Sequence, residues 1–143
     1  MLHGVAKTVL TVALMMIGCT AGYFGTATYY EQHPQTVAQS HECDTIPNSI
    51  GYKNRNDFLA TNRKENWRTW RQREIELSKE TTAPTSSIFS SLHTTLKSQS
   101  ETSLNGEKIR DKCREAYQKN NNTDSNSEEN KTETDAKKYC KFK

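Results

Sequence analysis

A chain of 143 residues, 32% hydrophobic and 26% charged, has room for one small folded domain beside its apolar start. All 17 acidic residues and all but one of the 20 basic residues lie beyond Tyr30. That near-balance gives the downstream part neither the basic excess of a nucleic-acid protein nor an acidic tail.

From Thr8 to Tyr30 no residue is charged, and a single Lys7 precedes the stretch. Val9, Leu10, Val12 to Ile17 form its apolar centre, and Tyr23, Phe24, Tyr29 and Tyr30 stand near its far end. About 20 mostly apolar residues suffice to span a bilayer as a helix, so residues 5–28 read as a transmembrane anchor. The same residues also fit a cleaved signal peptide. In a third reading, Met16-Ile17-Gly18-Cys19 is a lipoprotein site with Cys19 as the lipidated residue. No Lys or Arg occurs between Thr8 and Lys53, so the N-terminus is expected inside the cell membrane and residues 31–143 outside.

Residues 29–56 contain Pro34, Pro47, Asn48 and Gly51 without a sustained apolar period, and read as a linker. A small α-helical domain of about three helices is expected over 57–119. Asp57 is placed as the cap of the first helix, which runs through Phe58, Leu59, Trp67, Trp70, Glu74 and Leu77 to about Thr81. Its opposite face carries Arg63, Lys64, Arg68, Arg71 and Arg73. Thr85 or Ser86 would cap a second helix, with Ile88, Phe89, Leu92 and Leu96 on one face. Asn105-Gly106 signals a turn before a third helix from Glu107 to Lys119, with Ile109, Cys113, Ala116 and Tyr117 on its apolar side.

Residues 120–135 (NNNTDSNSEENKTETD) contain no apolar side chain and are expected to be a disordered loop. Residues 136–143 would close the chain as a short helical turn. The fold class is therefore mainly α: an N-terminal transmembrane or signal helix, then a small helical domain with disordered segments. Of the cysteines outside the anchor, Cys113 and Cys140 are expected to form a disulfide tying the tail to the third helix. Two packed thiols are the alternative.

The segments Lys112-Cys113-Arg114-Glu115-Ala116 and Ala136-Lys137-Lys138-Tyr139-Cys140 follow an apolar start and a Trp-bearing basic helix. In that order they resemble the paralogous families of short membrane-associated proteins of haemotropic mycoplasmas. The resemblance implies a surface-exposed protein with a role in host contact or antigenic diversity, and supplies no catalytic residue.

His41-Glu42-Cys43-Asp44, with His33 nearby, gathers metal-ligand types, but adjacent residues in an irregular segment rarely converge on one ion. A Cys43–His93 or Cys113–His93 nucleophile lacks an orienting group. No enzyme activity, cofactor or metal is expected. The best functional lead is the basic helix, where Arg63, Lys64, Arg68, Arg71 and Arg73 beside Trp67 and Trp70 could contact a polyanion or host surface. The plainer alternative is a packed tryptophan pair covered by solvated arginine stems. The expected partners are thus the membrane, through the N-terminal segment, and a host surface or polyanion, with no specific nucleic acid and the oligomeric state open.

Overall fold

Short apolar segments too small to hold a core alone are gathered here around one helix, Glu107–Gln118 (α5 below). The computed structural model describes residues 33–143, of which Pro34–Lys143 form one compact unit. The anchor expected over 5–28, and Cys19 within it, lie outside the described residues. Among the described residues no helix is long and apolar enough to cross a membrane.

Among the described residues two short helices come first, α1 (Val37–Ser40) and α2 (Ile50–Lys53). A 3-10 turn (Lys64–Asn66) leads into α3 (Trp67–Lys79), followed by α4 (Ser87–Lys97), a second 3-10 turn (Glu101–Ser103), α5, and α6 (Glu128–Tyr139). Helix α5 packs against α2, α3, α4 and α6. Ile109, Cys113, Ala116 and Tyr117 are its buried face, as the 3-4 spacing dictates. Ile88, Phe89, Leu92 and Leu96 of α4 and Trp70 and Leu77 of α3 complete the core. The mainly α class and the second and third helices match the sequence reading.

Four expectations are corrected. Residues 33–56 are not a plain linker. Thr36 and Gln39 form a capping box on α1, Ser49 caps α2, and Val37, Cys43 and Ile50 are buried.

Asp57 caps no helix, because it lies in a turn, its N–H donating to the Asn54 carbonyl at 3.0 Å, and residues 58–60 then run extended between the two ends of the domain. Val37 and Ala60 donate backbone N–H groups to Phe58 and Gln35, while Leu59 and Phe142 donate to Cys140 and Asp57, all at 2.7–2.9 Å. Phe58 and Leu59 are thus fully buried by strand-like pairing rather than by a helical stripe.

The polar segment 120–135 is not all loop, since its second half enters α6 with Ser127 as N-cap. Thr132, Glu133 and Asp135 are buried there. The final residues are also more than a turn. Ala136–Tyr139 completes α6, and Lys141 bridges to Phe58.

Candidate functional site

The N-terminal ends of α3 and α5 meet closely. Gly106 takes φ +86°, and a Cβ there would collide with the backbone of Arg71 and come within 2.7 Å of the Trp70 carbonyl carbon. Only glycine tolerates both the left-handed backbone and that approach. The start of α5 is held from α3, whose fully buried Glu74 accepts the Ile109 N–H at 3.1 Å through Oε2.

The start of α3 is held just as firmly. Buried Asn66 donates from Nδ2 to the Gln35 and Ala60 carbonyls and accepts the Gln35 N–H. Trp70 Nε1 also donates to the Ala60 carbonyl at 3.1 Å.

Between these two helix starts lies a groove of about 260 Å³. Arg63, Lys64, Trp67 and Trp70 line it from the start of α3, and Asn105, Gly106, Glu107 and Arg110 line it from the start of α5. Trp67 is 46% exposed, the one large hydrophobic side chain so exposed among the described residues. This corrects its expected place in the core stripe. As the first residue of α3 it stands past the end of the packed face that buries Trp70.

The five cations expected on one face divide. Arg63 and Lys64 are exposed, line the groove and make no ion pair among the described residues. Arg68 is exposed, with its guanidinium carbon 5.3 Å from the Trp67 ring centre. Arg71 is half-buried and donates from Nε to the Leu104 carbonyl at 3.0 Å. Arg73 is buried, donating to the Lys141 carbonyl at 3.1 Å and to Glu76. The last two are structural clamps, so the basic face is shorter than the sequence suggests. Arg110 and Glu107 were not singled out from sequence. The Asn105-Gly106 turn was legible, but nothing local says that it faces Trp67.

The cysteine expectation holds: Cys113 and Cys140, both fully buried, form a disulfide across 27 residues. Cys43 is a free buried thiol. Burial, then the charges of Glu42 and Asp44, push its pKa up to about 11. The neighbouring ligand types diverge: His41 pairs with Asp44 at 2.8 Å on the surface, and Glu42 accepts hydrogen bonds from Thr61. Among the described residues no three His, Cys, Asp or Glu side chains stand together as a metal site. His93 is buried and donates from Nε2 to the Glu80 carbonyl at 2.8 Å.

No protein-family model, curated protein or solved structure matches the chain.

Proposed function

We propose that this chain is a membrane-anchored surface protein whose folded part, residues 34–143, is displayed outside the cell and acts by binding rather than by catalysis. The observation that carries this reading is the Cys113–Cys140 disulfide, which fastens the end of α6 to α5 within the core. Such bonds persist in oxidising, extracytoplasmic surroundings and are rare in the reducing cytosol. The apolar start and the lone Lys7 before it support the same orientation. The two cysteine segments, with their likeness to short surface proteins of haemotropic mycoplasmas, support a role in host contact or antigenic display.

Peptide mapping of the native protein with and without reduction, combined with protease shaving of intact cells, tests this. A Cys113–Cys140 cross-linked peptide, together with release of sites from residues 34–143, is the expected result. Free thiols at both positions and a shaving-resistant chain would place the domain in the cytoplasm and overturn the reading.

A second reading is favoured by the groove: a polyanion- or host-surface-binding adhesin. Exposed Trp67 shares one concavity with Arg63 and Lys64, neither of which makes an ion pair among the described residues, and this supports it. Salt-dependent heparin retention that falls in an Arg63→Ala/Lys64→Ala double variant is expected, and unchanged retention in that variant excludes the groove as the polyanion site.

A further inference from the structure

We propose that the groove between the starts of α3 and α5 is a subsite for an acidic sugar, a carboxylated or sulfated glycan residue. The assignment rests on the adhesin reading and narrows it to one ligand chemistry. It begins with Trp67. An indole that stays 46% exposed at a helix start, while Trp70 one turn on is 1% exposed, leaves apolar surface open beside a concave site, even with the Arg68 guanidinium standing over the ring at 5.3 Å. Sugar rings present a flat array of C–H groups, which complements that face.

Charge supplies the second requirement. Arg63 and Lys64 have no acidic partner among the described residues, so no ion pair there has to break for an arriving carboxylate or sulfate. An arginine fork can hold either anion through two parallel hydrogen bonds. The third requirement is met by Glu107, an exposed carboxylate on the opposite helix start, and by the Asn105 side chain. A carboxylate accepts hydrogen bonds from sugar hydroxyls. Arg110 is already shared with Asp111 at 3.0 Å, which moderates the positive field at that end.

A nucleic acid fits less well. It needs cations spaced along a track. Here the row stops, because Arg71 and Arg73 are committed to the Leu104 and Lys141 carbonyls. The volume, about 260 Å³, lies just under the range of about 300–1,000 Å³ typical for drug-sized ligands and suits one or two sugar rings.

The test uses the full chain in detergent micelles, with tryptophan fluorescence and saturation-transfer NMR as readouts. The probes are sialyllactose, a heparin disaccharide, lactose and an oligothymidylate. At least one of the two acidic sugars is expected to bind at least tenfold more tightly than lactose. Trp67→Ala should weaken it about tenfold, and Arg63→Ala/Lys64→Ala should reduce it to the lactose level. All three residues are exposed and outside the core, and an unchanged unfolding midpoint confirms that the variants are folded.

Heparin binding that is indifferent to Trp67→Ala would leave a charge-only adhesin and overturn the sugar subsite. Tighter binding of oligothymidylate than of either acidic sugar would overturn it in favour of a nucleic acid. Failure of every probe at low salt would remove both this proposal and the adhesin reading beneath it.

Discussion

Asp135 accepts two hydrogen bonds from Ser86 through one oxygen, from the backbone N–H at 2.8 Å and from the hydroxyl at 2.6 Å. Ser86 is the N-cap residue of α4, yet its own side chain caps nothing within that helix. A carboxylate 49 residues further on satisfies it instead, in a buried setting where unpaired donors are costly. Asp135→Ala leaves both donors of Ser86 unsatisfied, with an expected loss of about 2–3 kcal/mol in urea unfolding. Asp135→Asn keeps one acceptor and should lose roughly half as much.

The same helix start is held by a second carboxylate that titrates. Glu128 accepts the Ser87 N–H at 2.5 Å. That bond, and then the Ser87 hydroxyl, hold the Glu128 carboxyl below its ordinary value. Its folded-state pKa is depressed, so its contribution is present above the ordinary glutamate pKa and is lost as pH falls through the depressed value. Between about pH 5 and about pH 3, wild type should lose stability faster than Glu128→Gln. Parallel acid limbs in urea midpoints measured across that range would show that Glu128 contributes nothing.

Much of the core was legible because its signal is local. In α4 and α5, apolar residues recur at three and four positions, and Ile88, Phe89, Leu92, Leu96, Ile109, Cys113, Ala116 and Tyr117 are buried. Helix α6 was illegible for the opposite reason. Ahead of its last turn, where Ala136 and Tyr139 are buried, the side chains that bury it are Thr132, Glu133 and Asp135, polar types that any hydropathy pattern assigns to solvent. Thr132 bonds locally to the Glu128 carbonyl, but the two carboxylates have remote partners: Ser86 for Asp135, and Lys53, 80 residues away, for Glu133 beside the nearby Lys137.

Phe58 and Leu59 misled in another way. They are apolar and stand just ahead of a helix, but backbone pairing to Val37 and Cys140 fixes them extended, and Tyr117 closes the arrangement. Its ring stacks on Phe58 at 4.9 Å, and its hydroxyl donates to the Leu59 carbonyl at 2.7 Å. At the candidate site the cations were legible as a set. Their division into groove-lining and structural members depends on carbonyls at Leu104 and Lys141, which lie in other elements.

Reduction separates the two roles of cysteine. Opening Cys113–Cys140 frees a 27-residue separation, worth about 3.5 kcal/mol in the chain-entropy model. A Cys113→Ala/Cys140→Ala variant should lose about that much, with α6 the first helix to lose hydrogen-exchange protection. Cys43 should resist alkylation at about pH 8.5 while the domain is folded and react at once in denaturant, because thiolate is the reactive form. Its folded pKa is raised from 9.0 to about 11, so the stability linked to it is complete below the unfolded value and fades as pH rises through the folded one. Equal alkylation rates in folded and unfolded protein would show that Cys43 is not shielded.

The arginines of α3 should sort into two classes that a single pair of assays resolves. Arg71→Ala removes a charged donor from the Leu104 carbonyl, beside the turn that positions Gly106 and Glu107. Arg73→Ala removes the donor that holds the Lys141 carbonyl, next to the bridge with Phe58. Each should lower stability by about 1–2 kcal/mol, since a hydrogen bond from a charged group to a half-buried or buried acceptor is lost. Arg63→Ala and Lys64→Ala should change stability by less than about 0.5 kcal/mol, as both side chains are exposed and make no ion pair among the described residues. Heparin retention of the folded variants should show the reverse order, with Arg63 and Lys64 decisive and Arg73 inert. If Arg73→Ala lowers retention as much as Lys64→Ala while leaving the urea midpoint unchanged, the structural clamp assigned to Arg73 is wrong and the basic face is continuous along α3.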